Sequence, residues 1–269
     1  MTTESRTALI TGASSGLGAA IALEMATRGW KLAIGARRAD RLAETAAQVR
    51  AQGAAEVYAG DLDVADDASV ERFFGASETA IGVADVIVNN AGASRFHWLE
   101  ETDTHWLRRE VETNLIGPMV VTHRALAPLL SAGREADVVM VSSDAARRPR
   151  PGQLAYGASK AGLENYSEAL SLALEGTGIR VIKVRLGPAL SEFALAWDLA
   201  PGTMQKRTEH WASFGLRDAR MLTQGSLGIL MPEDVARAVV HAVTQPRHVL
   251  VDTIELQPSV PRRADGVSR

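Results

Sequence analysis

A tyrosine and a lysine stand four residues apart in Tyr156-Gly157-Ala158-Ser159-Lys160. The surrounding segment has helical spacing, so both side chains share one face and a phenol sits beside an ammonium. A phenol ordinarily titrates near pH ~10, and a cation roughly 5 Å away at a protein-like dielectric favours its anion by about 3 kcal/mol. That predicts an acid and base able to work near neutral pH, although a tyrosine packed on a lysine stem would look the same. Two further residues bear on the choice. Ser143 ends Val141-Ser142-Ser143, where its hydroxyl can donate to an oxygen gaining negative charge; alone it would be an ordinary turn serine. Asn114 lies four residues before Pro118, which has no N–H to offer the Asn114 carbonyl. That carbonyl is expected either to anchor a water leading from Lys160 towards solvent or merely to mark a kink.

A second group of residues suits phosphate. Thr11-Gly12-Ala13-Ser14-Ser15-Gly16-Leu17-Gly18 falls between an apolar run and an amphipathic one. Its glycines permit a tight turn and close approach of the backbone, and the N–H groups opening the next helix attract negative charge. A dinucleotide contacting Gly12, Ser14, Ser15, Gly16, Leu17 and Gly18 is the functional reading; a glycine-rich packing turn is the plain one. After the second apolar run come Arg37 and Arg38, with no acid at the junction. A ribose hydroxyl is usually held there by a carboxylate, whereas a ribose phosphate requires a cation, so NADP(H) is the expected cofactor. Arg37 is the favoured ligand, and Arg38 the one more suited to solvating the following helix.

The elements that must position these groups alternate. Strand-like runs at 7–10, 31–34, 56–59, 86–89, 138–142, 179–185 and 249–254 are separated by helical stretches at 17–28, 39–51, 68–79, 104–130 and 156–175. This predicts right-handed βαβ units in one Rossmann-type α/β domain, a doubly wound parallel sheet with helices on both faces. The core spans 7–256, followed by a polar tail at 258–269 containing Arg262, Arg263 and Gly266. Ligands of such sheets bind beyond the carboxyl ends of the strands, where the candidate residues fall.

Composition narrows the partners. A net charge of −3 argues against a nucleic-acid or anionic membrane surface. With no cysteine in the chain, thiolate catalysis, disulfides and iron–sulfur clusters are excluded. The amino terminus has no signal-peptide pattern and no apolar stretch is long enough to span a bilayer, so a cytoplasmic protein is expected.

Taken together the motifs resemble the short-chain dehydrogenase/reductase family from Thr7 to about Leu256: the turn from Thr11 to Gly18, Asp63-Val64, Asn89-Asn90-Ala91-Gly92, Asn114, Ser143 and Tyr156-x-x-x-Lys160. The resemblance implies that Asp63 and Val64 flank an adenine and that Asn90, Ala91 and Gly92 lie along the cofactor. It also implies that Lys160 bonds the nicotinamide ribose, with Gly187, Ala189 and Ser191 near the carboxamide. In Arg185-Leu186-Gly187-Pro188-Ala189-Leu190-Ser191, leucine replaces the family's usual proline and serine its threonine. The implied reaction is hydride exchange between NADP(H) and a carbonyl or secondary alcohol. Tyr156 supplies the proton, Ser143 steadies the oxygen, Lys160 lowers the tyrosine pKa, and no metal takes part. The family is commonly a homodimer or homotetramer.

On the substrate side, residues 190–230 contain Phe193, Trp197, Met204, Trp211, Phe214 and Met221. They suit a lid over an apolar or ring-bearing substrate, or core packing. Arg147, Arg148 and Arg150 are expected to be solvated or to face a subunit, and His97 and His105 have no metal-ligand spacing. Two other readings stay open: an NADP(H)-sensing protein without turnover, and a dehydrogenase preferring NAD.

Overall fold

The computed structural model describes residues 6–96, 98–190 and 229–259. Its strands are β1 (Thr7–Thr11), β2 (Lys31–Ala36), β3 (Glu56–Asp61), β4 (Val86–Asn89), β5 (Ala136–Ser143), β6 (Ile179–Leu186) and β7 (Thr253–Leu256). All pair in parallel, in the order β3-β2-β1-β4-β5-β6-β7. The helices are α1 (Gly16–Ala26), α2 (Ala39–Ala51), α3 (Asp67–Ile81), α4 (Thr104–Val111), α5 (Gly117–Ser131), α6 (Leu154–Ala173) and α7 (Pro232–Val243).

Strand alternation explains why both sheet faces are covered. Ala8, Ile10, Leu32, Ile34, Val86, Val88, Val139 and Val141 turn to one side, where α1, α2 and α7 pack. Leu9, Ala33, Ile87, Val138 and Met140 turn to the other, against α3, α5 and α6. The chain reverses its direction of travel across the sheet between β1 and β4. The loops after those two strands therefore splay apart and leave a crevice, the usual ligand position in such folds.

Three elements depart from the sequence reading. The expected helix over 104–130 is broken into α4, a π turn at Glu112–Ile116, and α5. Pro118 cannot donate, and the ladder slips so that the N–H of Gly117 reaches the carbonyl of Glu112 five residues back. The last strand begins at Thr253 rather than 249, because Val249 is held in a turn onto Pro246 and its carbonyl accepts from Arg180 at 2.6 Å. Helix α7, expected after residue 230 but not bounded from sequence, runs over Pro232–Val243: Pro232, Glu233 and Asp234 suit a helix start, and Val235, Ala236, Val239, Val240 and Val243 form its buried stripe.

At the amino ends of the strands, opposite the crevice, charges fix the strand ends. Asp137 is fully buried and receives Arg6 at 2.7 Å, Arg180 at 2.7 Å and Arg247 at 3.1 Å. Arg6 also reaches Asp85 at 2.8 Å. Removing the shared carboxylate leaves the buried Arg180 without its acid and takes one partner from Arg6 and Arg247, which keep Asp85 and Glu135, and stranding the buried guanidinium costs more than the net worth of its pair. Asp137→Ala is expected to lower the unfolding free energy by about 3 to 5 kcal/mol in urea denaturation, with cofactor affinity unchanged at temperatures where the variant stays folded.

Candidate active site

The turn after β1 is fastened to the loop after β4 by one hydroxyl. Thr11 Oγ1 donates to Val88 O at 3.3 Å and accepts the N–H groups of Asn90 and Ala91, each at 3.0 Å. Asn90 returns the tie, its Nδ2 donating to Thr11 O at 2.9 Å and Gly12 O at 3.2 Å. The Asn90 side-chain amide thus holds the turn. Gly12 sits at φ +69°, and a Cβ on Gly18 would come within 2.5 Å of Gly12 O. Both glycines are required by the fold of the turn. The N-cap Ser15 makes no side-chain bond to the first turn of α1, and that turn carries no acid. Its N–H groups are therefore left for an anionic ligand.

Arg38, not Arg37, faces this turn. Arg38 Nη2 donates to Ser14 Oγ at 3.1 Å and to Ser15 Oγ at 2.5 Å. Arg37 is 59% exposed and lies 3.9 Å from Asp63. Entry into α2 carries Arg38 back over the loop, while Arg37, the arginine favoured from sequence, stays exposed at the end of β2. Asp63 itself is held by Arg109 at 2.6 Å and by the N–H of Ala65 at 3.1 Å. Burial alone would raise its carboxyl, but those hydrogen bonds with the charges of Arg109 and Arg37 outweigh it, and the group stays below the ordinary carboxylate range. Val64 is buried and packs against Gly117, where any Cβ would lie 2.7 Å from Val64 Cγ2.

Tyr156 and Lys160 do share one face of α6, and both are buried with Ser159, Leu163 and Glu164. Lys160 Nζ lies 6.0 Å from the centre of the Tyr156 ring and donates to Val141 O at 2.8 Å. Burial pushes the ammonium down to about 8. Burial also pushes the phenol up, to about 12: the Ser143 hydrogen bond and the charge of Arg150 oppose the rise, while the charges of Asp144 and Glu110 add to it. The expected lowering of the tyrosine by Lys160 is therefore corrected. Desolvation dominates here, ahead of the Ser143 hydrogen bond and the nearby charges, and the amine is turned onto a backbone carbonyl.

Ser143, the last residue of β5, caps the short turn Asp144–Ala146 by accepting the N–H of Ala145 at 3.2 Å, and also bonds Tyr156. Asn114, wholly buried in the π turn, accepts the N–H of Ala93 at 2.8 Å. Its Nδ2 donates to Ala93 O at 2.7 Å and Ser159 Oγ at 3.2 Å. The side chain thus sews the loop after β4 to α6, which sequence alone did not reveal. Arg150, expected to be solvated, pairs with the buried Asp144, whereas Arg147 and Arg148 are exposed. Ala91 is half-buried and Gly92 exposed. Gly187 donates its N–H to Leu256 O at 2.8 Å, and Ala189 bridges to Leu230. His105 is exposed and edges onto Trp106. Ser191, His97, the lid aromatics and the tail lie outside the described residues.

Several working residues were missed. Asp144 is adjacent to Ser143 and could have been noticed; Arg109, Glu110 and Ser159 are defined by contacts between elements.

Geometry and relatives agree on the class. A model of the short chain dehydrogenase family matches residues 6–199. The chain is 34% identical over 253 residues to sulfoacetaldehyde reductase 2 of Chromohalobacter salexigens, covering 93% of each. Its fold is similar to that of an alcohol dehydrogenase from the archaeon Thermococcus sibiricus complexed with 5-hydroxy-NADP, with TM-score 0.78, 29% identity, and 97% and 99% of the two chains covered. It is also similar to a point variant of actinorhodin polyketide ketoreductase with NADPH, with TM-score 0.80, 26% identity, and 94% and 96% covered. The chain belongs to the short-chain dehydrogenase/reductase family, a family of nicotinamide-dependent oxidoreductases.

The buried amine makes stability depend on pH. Between about 8, where folded Lys160 titrates, and its ordinary 10.5, the unfolded chain binds the extra proton, so this group makes stability rise with pH across that window. Below the window the buried charge costs at most about 3 kcal/mol. Urea titrations should show a rise from pH 8 to 10 that is absent in Lys160→Met; equal slopes in the two proteins would contradict the burial.

Proposed function

We propose that the protein is an NADP(H)-dependent carbonyl reductase, interconverting a carbonyl and a secondary alcohol, with Tyr156 as the proton donor. The carrying observation is the water-excluded phenol bonded to the Ser143 hydroxyl, one helical turn from a buried lysine. The nicotinamide, when bound, supplies or accepts the hydride. Tyr156, held protonated at neutral pH by its burial, suits donation to an oxygen that gains charge. Ser143 offers that oxygen a second donor. Lys160 gives up its proton more readily than an exposed lysine and can replenish the phenol, while the backbone carbonyl of Asn114 is the group to which a water path would attach. Asn114 and Asn90 act through their side chains as ties that keep the two loops in register.

The cofactor fits the residues present. The uncapped first turn of α1 suits the pyrophosphate, and Arg38 over Ser14 and Ser15 suits a ribose phosphate. Asp63 and Val64 would border the adenine, Ala91 and Gly92 the cofactor's length, and Gly187 and Ala189 the nicotinamide end. The cofactors of the two similar structures, 5-hydroxy-NADP and NADPH, are consistent with this choice. The names alcohol dehydrogenase and sulfoacetaldehyde reductase support carbonyl and alcohol chemistry.

Two variants test the proposal. Tyr156→Phe should cut NADPH-driven carbonyl reduction by about 10²-fold or more while NADPH affinity, followed by fluorescence titration, is retained; undiminished turnover refutes the assignment. Arg38→Asp should raise the KM for NADPH by about tenfold or more and leave that for NADH little changed. A larger loss on NADH than on NADPH would instead favour an NAD-preferring enzyme.

A further inference from the structure

Glu110 has no place in the reading above, yet it is the most unusual side chain near the site. It lies in the last turn of α4 and is completely buried. A leucine there would be cheaper, since a buried carboxylate loses its hydration and must be compensated. The compensation comes from backbone. Glu110 Oε1 accepts the N–H of Arg95 at 2.5 Å, in the loop that follows β4. The N–H of Tyr156 also favours the charged form, while Oε2 has no hydrogen-bond partner. Tyr156 stands in the first turn of α6, whose N-cap Gln153 makes no side-chain bond, so this end of the helix welcomes a carboxylate from elsewhere in the chain.

The charged groups around it are otherwise engaged. Arg95 turns its guanidinium onto the Trp106 ring at 5.1 Å, and Arg109, next to Glu110 on α4, reaches Asp63. Arg108 and Glu112 are exposed. Lys160 on α6 is bonded to Val141 O, and Asp144 and Arg150, from the segment after β5, pair with each other. Burial is consequently the largest influence on Glu110 and pushes it up to about 7. Its negative charge in turn raises Tyr156.

We propose that Glu110 is a positioning residue that ties the loop after β4 to the helix end bearing Tyr156, and that its charge adds to the hold of Tyr156 on its proton. The second half rests on the reading of Tyr156 as the acid and base; the first does not.

The test has two arms. In the first, kcat/KM for oxidation of an accepted secondary alcohol by NADP+ is followed against pH. The midpoint of its rise, set by Tyr156, should move lower by a fraction of a pH unit, about threefold in the proton affinity, in Glu110→Gln and stay near the wild-type value in Glu110→Asp. An unmoved midpoint in Glu110→Gln, even with reduced kcat, overturns the electrostatic role. The second arm needs no turnover. The backbone amide resonances of Arg95 and Tyr156 should titrate together near pH 7 in the wild-type protein and become flat over that range in Glu110→Gln. Amides that ignore pH between 6 and 8 in the wild type overturn the tie, even if Glu110→Gln does not fold. A wild type that oxidises no alcohol while its two amides titrate together would sink the reductase reading and leave the tie standing.

Discussion

Exclusion of water from the first turns of α6 is the constraint on which the site depends. The same burial drives the Tyr156 phenol up to about 12, which keeps it neutral, and the Lys160 amine down to about 8, close to neutral pH. A phenol that keeps its proton and an amine that easily yields one are suited to passing a proton to a substrate oxygen. Neither property belongs to the residue types alone. It arises because α6 lays Tyr156, Ser159, Lys160, Leu163 and Glu164 against the carboxyl ends of β5 and β6.

The remaining architecture keeps that face in register with the crevice. Three polar ties converge on the loop after β4: Thr11 and Asn90 link it to the turn after β1, Asn114 clamps Ala93, and Glu110 holds Arg95. Asn114 also bonds Ser159 on α6, so the loop is stitched to the cofactor turn on one side and to the reacting helix on the other. At the opposite end of the sheet the Asp137 cluster joins residues flanking β1, β5, β6 and α7. One end is thus held by charges with no exposed chemistry, and the other by hydrogen bonds that leave selected donors facing a ligand.

The electrostatics also divide the site into two regions of opposite character. Around the turn after β1, Arg38 and the helix end are positive, with Asp63 between Arg37 and Arg109. Around Tyr156, Asp144 and Glu110 supply negative charge, which Arg150 partly balances. A polyanionic cofactor is favoured at the first region, while the second strengthens the grip of the phenol on its proton.

Alternation of apolar runs was sufficient to read an α/β parallel sheet, because period two and period 3.6 patterns are local properties of the chain. The glycine turn, the Tyr156–Lys160 offset and Ser143 were legible for the same reason: their chemistry depends on short spacing and on position after a strand. Which arginine touches the glycine turn was not, since that depends on how the chain enters α2. Nor was the slip of the helix at Glu112–Ile116, whose hydrogen bonds lengthen by one residue ahead of Pro118. The direction of the Tyr156 shift was also hidden, because Glu110 and Asp144 approach from other elements and burial is a property of the packed molecule. Sequence alone settled the kinds of groups available and their order along the chain; tertiary packing decided which were desolvated, which were paired, and hence which could still exchange a proton.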